Sequence, residues 1–335
     1  MPRRKPRIPD SPLPQRDGID PVHLRLPLDG EWATVRDHLV DRLPVPAEVV
    51  DGLLEAGQVA DVDGLLTATS PYVPGGHLWF HRPLAPEPRV PFPLRVLYRD
   101  AHLLVVDKPH FLATTPRGSH ITETALARLR RELDLPRLSP AHRLDRLTAG
   151  LVLFTLHPAE RGAYQRMFAD KRVHKEYEAI APYDPALALP RTVRSRIVKD
   201  RGIIAAYEVP GEPNSESRIE LVEHREHGPG GPLARYRLLP RTGRTHQLRV
   251  HMNALGLPIL GDPVYPTVAD PAPDDYSRPL QLLARTLEFT DPLTGRAHRF
   301  ESRRTLQAWT DHETWAAGPA PTTAGAEPQH QPTDE

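Results

Sequence analysis

The chain has 335 residues, 39% hydrophobic and 26% charged, with 43 basic and 43 acidic side chains and a net charge of zero, the balance of a soluble globular protein of about two domains. No run approaches the roughly 18 apolar residues a membrane span needs, and no apolar stretch follows the basic opening, Met1 to Asp10, so neither secretion nor membrane insertion is expected. The absence of cysteine excludes disulfides, thiolate metal sites and cysteine nucleophiles, and fits a reducing cytoplasm.

In chain order, residues 1–18 read as a disordered arm rich in proline and arginine. From Trp32 to Leu54 apolar residues recur at helical spacing, as Val35, Leu39 and Leu43 and then Val49, Leu53 and Leu54, with a break at Pro44 and Pro46, which predicts two short helices. Gly57 suits the C-terminal cap of the second, a strand then enters an Asp63-Gly64 turn, and His77 to Phe80 reads as another strand. Residues 19–88 are therefore expected to form a small α/β accessory domain, and Pro83 to Pro93 a linker. Residues 29–88 carry ten Asp and Glu against only Arg36, Arg42 and Arg82, whereas residues 89–315 carry 34 Lys and Arg against 27 Asp and Glu. The basic segment is the better candidate for a polyanionic partner. Arginine dominates the basic side chains, a bias that phosphate recognition and a GC-rich genome produce alike.

Beyond residue 89 strand-like runs dominate, at 103–107, 151–155, 175–181, 192–199, 217–223, 235–239 and 282–289, with helical patterns at 122–133, 159–168 and 245–255. In the last helix Leu248, Met252 and Leu255 share one face, Thr245 is the expected cap, and Gly256 with Pro258 ends it. Strands mixed with helices without regular alternation indicate an α+β fold around a mainly antiparallel sheet over 89–315. Residues 316–335 lack the apolar side chains for a core and read as a disordered tail.

Three segments could carry chemistry. AHRLDRLTAG (141–150) groups His142, Arg143, Asp145 and Arg146 at the mouth of the apolar run LVLF. Such a cluster either holds a reactive side chain on a rigid element or is a surface ion-pair loop, and arginines on both sides would favour the Asp145 carboxylate. KEYEAI (175–180) puts Lys175 and Tyr177 on one strand face, a cation beside a ring or simply a core tyrosine with a solvated lysine. In RTGRTHQLRVHM (241–252) a strand end meets a helix start, so free amides converge with Arg241 and Arg244 where an anion could bind. His246 and Arg249 share a helix face. His246 and His251 lack the spacing of a zinc pair, and no metal site is expected.

Together HRLDRLTAG with LVLF, KEYEAI and RTGRTHQLRVHMNALGLPILGDPVY resemble the signature motifs of the RluA-like RNA pseudouridine synthases, in the same order and at similar separations. DAHLLVVDKPHFLATTP (100–116) resembles the strand and turn that open that family's catalytic domain. The resemblance spans roughly residues 90–310 and implies a pseudouridine-synthase-like catalytic domain over 89–315. The acidic segment before it resembles a degenerate alpha-L RNA-binding domain without that fold's usual basic surface.

The resemblance implies an isomerase that converts a uridine of ribosomal or transfer RNA to pseudouridine. No cofactor is implied, RNA is the partner, and the protein would act in the cytoplasm as a monomer. It implies Asp145 as the catalytic aspartate, Tyr177 as the aromatic residue packed on the base, and Arg249 as the partner of the carboxylate. Leu248 would pack against the base and Arg143 would help displace the target nucleotide. His142, Lys175, Arg241 and Arg244 complete the expected substrate-binding set. The chemistry agrees, because breaking a glycosidic bond builds positive charge on the sugar that an ionised carboxylate stabilises. A protein kinase would need a glycine-rich loop and an AspPheGly, which are absent, and a glycoside hydrolase would need a second carboxylate that the motifs do not offer. A catalytically inactive RNA-binding protein is the remaining alternative.

Overall fold

A computed structural model describes residues 8–226, 231–269, 271–272 and 274–317. The described residues divide into two compact units. One runs up to Glu87 and takes in Thr115–Leu138, and the other takes in Pro88–Thr114 and the chain from Ser139.

The first unit contains β1 (Val22–Arg25), α1 (Val35–Arg42), α2 (Ala47–Glu55), β2 (Val59–Ala60), β3 (His77–Phe80) and α3 (Ala125–Glu132). The two expected helices form, and α1 begins with a capping box in which Thr34 and Asp37 exchange side chain and backbone hydrogen bonds. The turn after β2 is held by the Asp61 carboxylate, which accepts from the amides of Asp63 and Gly64 at 2.8 and 3.1 Å. The strands order as β1-β3-β2, all antiparallel, and bury Val35, Leu39, Val50, Leu53, Leu78 and Phe80 against the helices.

Two expectations change here. The arm is placed from residue 8 onward, with Leu13 buried beside Ala60 and Trp79 and Gln15 donating to Asp20 and to the Pro136 carbonyl. An apolar side chain with a ready pocket offsets the ordering cost that composition alone assigned to the arm. The segment 115–138, expected in the catalytic domain, belongs to this unit. Its Arg130 donates to Gly18 O and pairs with Asp20, and the Glu87 carboxylate accepts from the amides of Ile121, Thr122 and Glu123. The tail expected over 316–335 lies, beyond residue 317, outside the described residues.

The second unit is built on an eleven-stranded sheet. Its strands are β4 (Arg95–Arg99), β5 (Leu103–Lys108), β6 (Ser139–Pro140), β7 (Ala149–Thr155), β8 (His174–Pro182), β9 (Arg191–Val198), β10 (Tyr207–Val209), β11 (Ser215–Arg225), β12 (Leu233–Pro240), β13 (Leu282–Thr290) and β14 (Ala297–Glu301). The order is β10-β9-β11-β12-β8-β13-β7-β5-β4, with β14 beside β13 and β6 beside β7. Among the described pairings only β13 with β7 is parallel. Both β5 and β7 are buried along their whole length, which is why they read as continuous apolar runs rather than alternating ones. Helix α4 (Arg161–Ala169) covers one part of the sheet with Tyr164 and Met167. Helix α5 (Gln247–Ala254) sets Leu248 and Met252 into a cluster with Ala179, Leu238 and Leu282. The short α6 (Gln307–Thr310) and α7 (His312–Ala317) follow the last strand.

Candidate active site

Three parts of the second unit line one cleft: the turn before β7, the first half of β8, and the loop from β12 into α5. Strand register brings them together. Tyr177 pairs with Ala284 on β13, Ala284 with Gly150 on β7, and Gly150 with Lys108 on β5, so one row crosses four strands beside Asp145. Gly150 sits at φ +112°, and a Cβ there would come within 2.3 Å of the Ala284 carbonyl oxygen. Only glycine lets the two strands approach this closely.

Asp145 opens a turn that the Thr148 amide closes by donating to the Asp145 carbonyl at 3.1 Å. Lys108 is fully buried behind it, and its Nζ donates to the carbonyls of Pro109, Leu112 and Arg146 at 2.9, 2.7 and 3.3 Å. Burial pushes its ammonium well below the ordinary lysine range, yet all three hydrogens have acceptors. The end of β5 is thereby tied to the residue after Asp145. Thr114 Oγ1 makes a matching tie in front, donating to Leu144 O and accepting from Leu144 N–H.

The Asp145 side chain is 27% exposed, with Arg249 Nη1 at 3.9 Å and His246 Nε2 at 4.0 Å from its Oδ2. Arg249, expected to hold this carboxylate, makes its close pair elsewhere. Its Nε and Nη2 donate to Asp262 at 2.7 and 2.6 Å, and the two side chains are 3% and 1% exposed. The reason lies in the turn after Gly261, where the amides of Val264 and Tyr265 also donate to Asp262 and fix its carboxylate against the guanidinium. Burial opposes the charge on Arg249, and the hydrogen bonds it donates to Asp262, with that carboxylate's charge, outweigh the opposition and raise its pKa. Arg249 is a cation locked by Asp262 and presented to Asp145.

Tyr177 and Leu248 supply the apolar part of the lining and belong to one cluster. Burial, reinforced by the Asp145 charge, raises the Tyr177 phenol above its ordinary value, so it stays protonated at neutral pH. Lys175 faces the same cleft, and burial lowers its ammonium.

The loop 241–246 is shaped by Gln247, which sequence reasoning did not single out. Its Oε1 accepts from Thr242 Oγ1 and from the Arg244 amide, and its Nε2 donates to Glu216 O and Ser217 Oγ. The buried amide so fastens the loop to β11. Thr245, the expected helix cap, does not cap α5. That position falls to His246, whose backbone is left-handed at φ 57° and whose side chain makes no capping hydrogen bond.

A groove of about 470 Å³ adjoins the cleft, lined by Arg143, Lys171, Lys175, Arg241 and Arg244 and by no carboxylate. Arg241 is exposed, 3.8 Å from Glu216, and Arg244 Nε donates to the Asn214 carbonyl. His142 also lines this groove, but its ring is committed to the fold. Nε2 accepts from the Leu153 amide at 3.1 Å and the ring lies 4.4 Å from that of Phe168. Burial first, then the nearby Lys175, lower its pKa to about 3, so it brings no charge to a substrate.

All nine sequence-selected residues thus border the cleft or its groove, whereas Asp262, Lys108, Gln247, His246 and Lys171 were passed over as site residues. The Gly-Asp-Pro at 261–263, a carboxylate in an otherwise apolar stretch, and a lysine ending a buried strand were the available signals.

Residues 102–254 match the family model described as RNA pseudouridylate synthase. The dual-specificity RNA pseudouridine synthase RluA of Haemophilus influenzae is 32% identical over 226 residues, which cover 63% of this chain and 93% of that protein. Its counterpart in Escherichia coli strain K12 is 34% identical, over 62% of this chain and 92% of its own. The structure of human RNA pseudouridylate synthase domain containing 1 aligns with a TM-score of 0.53 at 26% identity, covering 68% of this chain and 89% of that one. On these matches and the motif-bearing cleft, the chain belongs to the RluA-like family of RNA pseudouridine synthases and is an isomerase.

Proposed function

We propose that the protein converts uridine to pseudouridine in ribosomal or transfer RNA, with Asp145 as the catalytic carboxylate and no metal or cofactor. The observation that carries the reading is a partly exposed carboxylate beside an arginine whose fork is already engaged by a second carboxylate. Asp145 therefore faces the cleft within the field of Arg249 while its oxygens stay outside the bidentate fork. In the reaction the N1–C1′ bond breaks, C5 bonds to C1′, C5 gives up its proton and N1 gains one, so the atoms balance without a redox partner. The carboxylate stabilises the positive charge that builds on the sugar, by covalent capture or by its field. Tyr177 and Leu248 hold the detached uracil while it turns, and the protonated phenol of Tyr177 is available for the proton traffic. Arg249 presents its positive charge 3.9 Å from the carboxylate.

The target base has to leave its stack to reach this cleft, at a cost of a few kcal/mol. Arg143 at the rim is the residue assigned to that displacement. Lys175, Arg241 and Arg244 contact phosphates in the carboxylate-free groove, and His142 supports them by fixing β7 rather than by touching RNA. The two bacterial relatives are named dual-specificity enzymes, which supports more than one RNA as substrate.

The test is pseudouridine mapping in total RNA from cells with and without the gene, with tritium release from RNA labelled at uracil C5 as the rate assay. Asp145→Asn should abolish tritium release while RNA affinity and melting temperature stay near wild type, since only the reacting charge is lost. Activity should survive exhaustive EDTA treatment. Residual turnover above roughly one part in a hundred in Asp145→Asn would remove the carboxylate from its role, and an inactive wild type would leave the RNA-binding alternative.

A further inference from the structure

Beside Asp145 the cleft wall carries a second hydrogen-bond acceptor, and the bonding of Tyr265 reveals it. Tyr265 Oη lies 2.7 Å from the carbonyl oxygen of Ala206 and 2.8 Å from the amide nitrogen of the same residue. A carbonyl cannot donate, so the phenol hydrogen lies on the line to Ala206 O, and Oη accepts from Ala206 N–H. The third neighbour of Oη is His246 Nδ1 at 3.0 Å. With the phenol hydrogen already used, Nδ1 has to be the donor. A neutral imidazole has one N–H, which leaves Nε2 with a bare lone pair. Burial, then the charge of Arg249, lower the His246 pKa to about 4, so the ring is neutral at pH 7.

This Nε2 stands 4.0 Å from Asp145 Oδ2, and His246 lines the same cleft. Among the described residues no donor hydrogen-bonds to it. Two acceptors that face each other at this separation repel unless a donor comes between them. A substrate group bound between them can supply that donor.

We propose that His246 Nε2 accepts a hydrogen bond from the ribose 2′-hydroxyl of the target nucleotide, and that this contact makes the enzyme select RNA over DNA. The inference rests on the reading above that Asp145 acts at C1′. The 2′-hydroxyl is on the adjacent carbon, which places it between the carboxylate and the imidazole. Uracil's own donor, N3–H, belongs to the base between Tyr177 and Leu248 and lies further from C1′. A hydroxyl at position 2′ is also the chemical difference between the two nucleic acids, and a site built to bond a substrate hydroxyl rejects the analogue without it.

The experiment is a cycle of enzyme and substrate changes. Synthetic RNAs spanning the uridine found by mapping carry uridine, 2′-deoxyuridine or 3-methyluridine at that one position, and pseudouridine formation is followed for wild type, His246→Phe and His246→Asn. Phenylalanine keeps the ring shape without nitrogens, and asparagine tolerates the left-handed backbone but is too short to reach the Nε2 position. Melting temperatures establish that the variants fold. Wild type should lose roughly 10- to 100-fold in kcat/KM on 2′-deoxyuridine, a lost hydrogen bond to an acceptor that lines the cleft. Both variants should lose about as much on uridine and little more on 2′-deoxyuridine, so that the two changes are not additive. Equal sensitivity to the 2′-deoxy change in wild type and variants would overturn the assignment, as would non-additivity confined to 3-methyluridine, which would assign the contact to N3–H. A wild type without activity on mapped uridines would instead overturn the function on which the inference rests.

Discussion

Asp262→Asn separates the two carboxylates that share Arg249. Asparagine keeps the volume of Asp262 and one acceptor oxygen, but it leaves a guanidinium only 3% exposed without its close counter-charge. The next carboxylate, Asp145, is 3.9 Å from Nη1 and cannot replace a fork bound at 2.6 and 2.7 Å. Removing one member of a buried, doubly hydrogen-bonded pair costs about 3 to 5 kcal/mol. In a domain of this size each kcal/mol moves the melting temperature by about 2 to 4 °C, so a fall on the order of 10 °C is expected. Asp145→Asn should cost less than about 1 kcal/mol, because its contact is long and partly solvated. Thermal unfolding of the full chain, followed by near-ultraviolet circular dichroism, measures both. Adding Arg249→Met to Asp262→Asn should recover part of the loss, since an apolar side chain leaves no unpaired charge. An Asp262→Asn variant melting within 2 °C of wild type, or shifts of equal size at both aspartates, would refute the assignment of Asp262 as the anchor.

Gly150→Ala should yield little soluble protein, because the new Cβ meets backbone atoms of Ala284 at 2.3 and 2.7 Å at a φ of +112°, and expression with solubility assay decides it. Gln247→Leu removes the acceptor of the Arg244 amide and of the Thr242 hydroxyl. It should cost about 2 to 3 kcal/mol and speed hydrogen exchange across 241–246, and an unchanged exchange rate would count against the role of Gln247 in shaping that loop. Acid should destabilise the protein. Burial first of all lowers His110 and His246 to about 4 and His142 to about 3, while the unfolded chain titrates near 6.5. Each contribution is thus fully present above pH 6.5 and is lost as the pH falls toward those values, at up to about 1.4 kcal/mol per unit per histidine. Melting temperature should drop steeply between pH 6.5 and 4.5 and less steeply in His142→Phe, and a flat profile over that range would contradict the neutral buried rings.

What could be read in the sequence follows from the range of each interaction. The runs that became β5, β7, β8, β11 and β13 announce themselves because a strand buried on the sheet repeats its apolar residues locally. The edge strands β4 and β10 and the short β6 were missed. Residues such as Arg95, Arg99 and Glu208 leave no apolar pattern, and pairing partners create those strands. Segment 115–138 falls within the span of the family resemblance, but Arg130 and Glu87 make contacts with partners far away in the chain, which no local pattern encodes.

The site shows the same division at the level of single atoms. The family resemblance implied Arg249 as the partner of the Asp145 carboxylate. Arg249 in fact faces two carboxylates at unequal distances, and the inequality matters chemically. A carboxylate gripped by a bidentate fork has its lone pairs spent and is stabilised as an anion in the ground state, so it is a poor candidate for meeting a developing cation. Asp262 takes that structural position, with backbone amides completing its bonding. Asp145 receives the field of the same guanidinium without losing its acceptors. The family motif could identify the two ends of this arrangement. Which carboxylate holds the arginine depends on a glycine twelve residues beyond it and on Pro279 O, which closes on Gly261 and excludes any side chain there.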